Sequence, residues 1–263
     1  MNSYVVQNKS KNINKYLKIS IILVTLILLS ALVMTITFTC SSAELNMDLF
    51  NSYFKSPGII FMNILPIFIF MLICYILFNK MWLSFLMTNI IFVTASIVNK
   101  FKLTYRDDPF TFLDIKLINE SVAMTKRYEI NFSSNMIWMI VGLITITVLL
   151  KMFFKYKINS KRIRIVTSLV VVLTTAYVVN GIYFDEARYK ELGDKSLINI
   201  WSEPQQFQSK GFVYPFIYSI SYAKEDILEN YDESKAIKDL NKYEYKNIPN
   251  NQKVNVISIM LEA

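Results

Sequence analysis

Five stretches of this chain carry no Asp, Glu, Lys or Arg: residues 19–43, 56–79, 81–99, 130–150 and 165–184. The shortest holds 19 residues, and a bilayer core of about 30 Å is crossed by roughly 20 residues of α-helix. In hydrocarbon every backbone N–H and C=O must be paired within the segment, so such stretches become helices. A core helix of a water-exposed domain seldom runs this long without a solvated polar face. The sequence therefore predicts an all-α polytopic membrane bundle of five transmembrane helices. The spans fall at about 19–41, 57–79, 81–99, 131–151 and 165–184, within a membrane domain of residues 1–184. Ser41, Ser42 and Ala43 are small enough for a signal peptidase, but the apolar run before them exceeds the 7–15 residues of a signal core. Cys40 and Cys74 read as apolar fillers in or near spans.

Lys and Arg beside a span resist translocation, whereas acids count for little. Lys9, Lys11, Lys15 and Lys18 precede the first span with no acid among them, while Glu44 and Asp48 follow it. The N-terminus is therefore expected in the cytoplasm. Alternation then places Lys80 and the acid-free cluster Lys151, Lys155, Lys157, Lys161, Arg162 and Arg164 on the same side. The outer loops dilute their cations with Asp107, Asp108, Asp114, Glu120 and Glu129. After five crossings, everything from residue 185 onward is expected outside the cell membrane. Tyr53, Phe54, Phe78, Trp82, Phe153, Phe154, Tyr156, Tyr183 and Phe184 fall near span ends, where aromatic rings favour the headgroup zone.

Of 263 residues 28 are Lys or Arg and 20 are Asp or Glu, a formal net charge of +8. The cations lie at span ends rather than in one soluble patch, so the excess points to a membrane and not to nucleic acid. There is no His, which removes Ser-His-Asp and Cys-His catalysis and two-His zinc motifs from these residues. None of the five charge-free stretches contains an ionisable acid or base, which argues against ion-coupled transport. Asn63, Asn89, Thr145, Thr147, Thr174 and Thr175 read as interhelical hydrogen-bonding residues. Pro66 is expected to kink the second span.

The loop between the third and fourth spans contains a second signal. Thr111 and Asp114 stand in capping-box spacing, and Leu113, Leu117, Ile118, Val122 and Met124 recur near helical period. This predicts an interfacial helix at about 111–125, with Lys116, Lys126 and Arg127 facing lipid phosphates. Packing of the same helix on the bundle is the alternative. Residues 185–253 form an extracellular juxtamembrane linker with helices. Within it, Trp201, Phe207, Phe212, Tyr214, Phe216 and Tyr218 are too aromatic for a free tether and predict packing on the membrane surface or a neighbouring domain. Residues 224–240 read as a polar helix burying Ile227, Leu228, Tyr231, Ile237 and Leu240. Residues 254–263 are almost all apolar and end at Glu262, as the first buried strand of a parallel sheet would. One strand cannot pair its own backbone, so the sheet is expected beyond these residues.

The loop from Asp108 through Pro109, Phe110, Asp114 and Lys116 to Glu120, the Gly211, Phe212, Val213, Tyr214 segment, and the run ending at Met260, Leu261 and Glu262 together resemble lipoteichoic acid synthases. These are membrane phosphoglycerol transferases with an extracellular sulfatase-like domain of the alkaline phosphatase superfamily. The resemblance covers the layout of the whole chain. It implies that 254–263 begin a truncated α/β catalytic domain in which Glu262 ligates Mn²⁺, or Mg²⁺ in its place. It implies transfer of glycerophosphate from phosphatidylglycerol headgroups to a glycerophosphate polymer acceptor of the cell envelope. The nucleophilic Thr and the remaining metal ligands of that family lie downstream of this motif. A phosphoethanolamine transferase, a membrane-tethered sulfatase and a non-catalytic truncated membrane protein are the alternatives.

Overall fold

The structure, a computed structural model, describes residues 2–42, 47–116, 132–193, 202–223, 232–242, 249 and 253–254. The expected strand with Glu262, most of the expected interfacial helix, Lys126, Arg127, Trp201, Ile227, Leu228 and Tyr231 lie outside the described residues. The chain divides into two compact units, Met1–Lys224 and Glu225–Ala263.

The regular elements among the described residues of the first unit are all helices. It contains α1 (Asn2–Ser41), α2 (Met47–Lys55), α3 (Pro57–Phe78), α4 (Met81–Arg106), α5 (Phe112–Lys116), α6 (Ser134–Phe153) and α7 (Lys161–Val178). A single π-helical turn, Val179–Tyr183, extends α7. Three short helices follow: α8 (Glu186–Glu191), α9 (Glu203–Ser209) and α10 (Val213–Tyr218). Among the described residues five segments are long and apolar enough to cross a membrane: Tyr16–Ser41, Pro57–Phe78, Met81–Arg106, Ser134–Phe153 and Lys161–Tyr183.

Local chemistry sets the boundaries. Pro57 opens α3, where its missing N–H costs nothing. Asn79 (φ 55°) and Asp107 (φ 50°) end α3 and α4 in the left-handed conformation. Their N–H groups donate to Tyr75 O at 2.7 Å and Leu103 O at 3.1 Å, satisfying carbonyls that the helix end would orphan. Ser160 caps α7 by accepting from Ile163 N.

Helices α1, α3 and α4 pack against one another, α7 lies against α3, and α6 lies against α4. The core of this trio includes Leu26, Val33, Ile67, Met71, Tyr75 and Phe85. Small hydroxyl residues sit among them: Ser30, Ser84, Thr88 and Ser96 are fully buried. Each donates to a carbonyl of its own helix, such as Ser30 Oγ to Leu26 O at 2.7 Å. By contrast α7 has no buried residue, and α6 buries only Met136 and Leu143. Their remaining apolar surface matches a lipid environment.

Several expectations are corrected at this level. Thr145, Thr147, Thr174 and Thr175 bond not between helices but back to Val141, Leu143, Val170 and Val171 of their own helices. The carbonyl one turn back is always within reach of a helical Thr, whatever the neighbours do. Asn89 likewise donates to Phe85 O. Tyr53 and Tyr183, expected near span ends, are each 1% exposed and pack against protein. Pro66, expected to kink the second span, lies inside α3.

In the second unit, described by itself, Asp232 caps α11 (Glu233–Leu240) by accepting from Lys235 N. Ile237 and Leu240, expected to be buried, are exposed.

Candidate functional site

One end of the bundle gathers the C-termini of α1, α4 and α7, the N-termini of α3 and α6, and the described residues 185–193 and 202–223. Asn99 Nδ2 donates to Ser41 O at 2.9 Å, tying the end of α4 to the end of α1. The aromatic segment after α9 enters this end. Phe207, Phe212, Val213, Tyr214 and Tyr218 are all at most 5% exposed. The expectation that this segment packs is met, and the surface it uses is the bundle itself.

The point of entry is Asn63. Its Nδ2 donates to Lys210 O at 2.8 Å, and its Oδ1 accepts from Tyr214 N at 3.1 Å. Asn63 lies six residues into α3, about 9 Å along the axis at 1.5 Å per residue, so the 210–214 turn reaches well below the helix start. Gly211 makes that approach possible. Its φ is +84°, and a Cβ there would stand 2.8 Å from both Asn63 Oδ1 and Tyr53 Cε2. Tyr53 in turn stacks on Phe38 at 4.0 Å between ring centroids. Burial pushes the Tyr53 phenol well above its ordinary range.

Beside this turn, Tyr183 Oη donates to Met62 O at 2.9 Å. Met62 is the residue four before Pro66, and proline offers no N–H to that carbonyl. The hydroxyl of α7's last turn therefore supplies the bond that Pro66 withholds. Tyr214 packs edge-on to Tyr183 at 5.6 Å and against Tyr189 at 5.5 Å. Its own hydroxyl is buried and finds no hydrogen-bond partner among the described residues. Burial pushes the Tyr214 phenol up to about 12, with Arg188 pulling the other way. Lys210 is 4% exposed and holds its ammonium 4.7 Å above the Tyr189 ring.

The loop 107–116 closes over the same end. Asp114 Oδ2 accepts from Thr111 N at 2.7 Å, the reciprocal half of a capping box, as the spacing predicts. Lys102 pairs with Asp108 at 2.6 Å and Asp114 at 2.9 Å, and donates to Pro109 O at 2.8 Å. Phe110 N donates to Asn99 Oδ1 at 2.8 Å. The loop then meets the tail. Phe110 stacks on Phe216 at 5.5 Å, Phe112 N donates to Ser219 Oγ at 2.8 Å, and Lys116 Nζ donates to Ala223 O at 3.0 Å. Lys116 thus holds the tail rather than pointing to a lipid phosphate. A depression of about 250 Å³ remains between them, lined by Thr111, Tyr189, Gln206, Phe207, Pro215, Tyr218, Ser219 and Tyr222.

Two of the stretches that carry the family resemblance, at 108–116 and 211–214, are therefore brought to one platform. Sequence reasoning missed Asn63, Lys102 and Ser219 as its fasteners. The glycine inside an aromatic run was the available signal for a close approach, but nothing local names Asn63 as the partner 148 positions away. The implied metal ligand, Glu262, lies outside the described residues. Among the described residues no group of three His, Cys, Asp or Glu side chains could hold a metal ion, so these residues do not fit a Mn²⁺ or Mg²⁺ site. No protein-family model matches the chain, and no curated protein or solved structure matches it.

Proposed function

We propose that the chain is the membrane-anchoring part of a phosphoglycerol transferase of the lipoteichoic acid synthase type. In this reading, the bundle and its platform hold an extracellular catalytic domain at the level of phosphatidylglycerol headgroups. The observation that supports it best is the convergence of 108–116 and 211–214 on the tail-bearing end of a five-span bundle. A donor dissolved in the bilayer is confined near the headgroup plane. A catalyst tethered there meets it at a far higher effective concentration than a free domain would. A tail merely leashed to the last span would sample many heights and orientations. One pinned by Asn63, Gly211 and Ser219 emerges from a fixed point on the bundle. No catalytic step is assigned to the described residues.

Photoactivatable lipids test the reading on the purified chain in bilayers. A phosphatidylglycerol probe with its reactive group in the headgroup should label residues 202–223 more heavily than the matching phosphatidylethanolamine probe. Equal labelling contradicts the phosphoglycerol assignment, and a preference for phosphatidylethanolamine moves it to that donor.

A further inference from the structure

At the end of the bundle away from the tail, Lys151, Lys155, Lys157, Lys161 and Arg162 are all exposed. Among the described residues none of them pairs with an acid. We propose that this α6–α7 connection is a docking surface for phospholipids with anionic headgroups. The inference rests on the membrane reading of the five helices and is independent of the transferase assignment.

The connection is held in shape from below. Tyr75 Oη donates to Tyr156 O at 3.1 Å, Asn79 Nδ2 donates to Ile158 O at 3.0 Å, and Ile158 N donates to Asn79 Oδ1 at 2.8 Å. Phe154 and Ile158 pack on the core, while Tyr156 between them is exposed. Lys155 and Lys157 on either side of it are exposed as well. Arg164 alone among the cluster's cations turns inward, donating to Ile76 O at 2.7 Å and Leu77 O at 2.6 Å at the end of α3.

A fixed row of like charges costs electrostatic energy that a flexible loop would relieve by spreading out. Here the backbone is pinned, so the repulsion is offset only by anions from outside the chain. The position selects which anions. The row spans the last residues of α6 and the first of α7, where apolar helix gives way to water and lipid phosphates reside. Lys151 also lies 5.4 Å from the Trp82 ring centroid, an aromatic anchor of the kind found at that depth. The flanking faces of α6 and α7 are exposed and apolar, including Met152, Phe153, Ile163 and Ile165, and would carry the acyl chains. A soluble polyanion would gain nothing from those faces.

Trp82 reports on this end and Trp138, 73% exposed near the start of α6, reports on the other. The full chain is reconstituted in phosphatidylcholine vesicles with Trp82 as sole tryptophan (Trp138→Phe, Trp201→Phe). It is quenched with brominated phosphatidylserine or brominated phosphatidylcholine at equal mole fraction. Phosphatidylserine supplies the charge without being the proposed donor. The expected result is about fivefold tighter association of the anionic lipid, the effect of one cation near a charged surface. That preference should fall to near unity in the Lys151→Gln, Lys155→Gln, Lys157→Gln, Lys161→Gln, Arg162→Gln variant. It should fall likewise for the unsubstituted cluster at about 1 M salt, where screening is complete within a few ångströms. A chain with Trp138 as sole reporter should show no response to the five substitutions. Equal quenching by the two lipids, or a preference that survives both the substitutions and salt, overturns the proposal. So does indifference to anionic lipid combined with binding of soluble polyphosphate.

Discussion

At the scale of single residues, the tail is held by a glycine and an amide that answer each other. Gly211→Ala puts a methyl group into Asn63 and Tyr53 and asks an L-residue to hold φ +84°; we expect about 1–3 kcal/mol of lost tail docking. Limited proteolysis in bilayers should then cut 202–223 faster while the spans stay protected. Tyr214→Phe should do the opposite. The hydroxyl it removes is buried without a partner among the described residues, so the change should be neutral or stabilising by about 1 kcal/mol. The same substitution isolates a pH effect. An unfolded tyrosine titrates near 10, whereas burial holds Tyr214 up to about 12. A group with its folded pKa raised contributes stability in full below its unfolded pKa and loses it as pH rises through the folded value. Docking should therefore weaken between about pH 10 and pH 12, and Tyr214→Phe should weaken less over that window. Protease sensitivity measured across the pH series for both proteins checks it.

At the scale of elements, α3 and α7 are joined by a bond that only the proline makes necessary. Tyr183→Phe should destabilise by about 0.5–2 kcal/mol, since Met62 O then has neither an amide nor a hydroxyl. In a Pro66→Ala background the helix regains its own donor, so the same change should cost measurably less. A thermal or denaturant double-mutant cycle in detergent reads the difference, and equal costs would show that Pro66 does not set the need for Tyr183. Helix positions were legible from charge-free runs to within a few residues, because lipid-facing helices tolerate so few charges. Helix ends were less so. Helix α4 continues to Arg106, past Lys100 and Lys102, because Asp108 and Asp114 return on the loop to pair with Lys102. That pairing is invisible until the loop's path is known. The threonines were misread for a simpler reason: a hydroxyl's nearest acceptor is its own helix, not a neighbour.

At the scale of the whole molecule, the α-helical five-span architecture was legible, whereas the platform at its end was legible only in outline. Aromatic density in 199–221 announced that the segment packs, but its partners come from positions 53, 62, 63 and 110, and no periodicity links those to the tail. The depth to which 210–214 enters the bundle follows from Gly211 and Asn63 together, and either alone is unremarkable in a sequence. What the fold does with that platform depends on which side of the membrane it faces. Basic residues without acids at one end, and a tail interleaved with acids at the other, set the expected direction.

The central claim is that the α6–α7 connection and the tail lie on opposite faces of a bilayer, with the tail outward. Single cysteines at Lys157→Cys and Lys190→Cys, in a chain with Cys40 and Cys74 replaced by Ala, place one probe on each exposed site. A membrane-impermeant thiol reagent applied to intact cells should label the position-190 probe at once, and the position-157 probe only after the membrane is permeabilised. Equal labelling of both positions in intact cells would contradict the five-span account, and the reverse pattern would turn the platform to the cytoplasm and remove the proposed function with it.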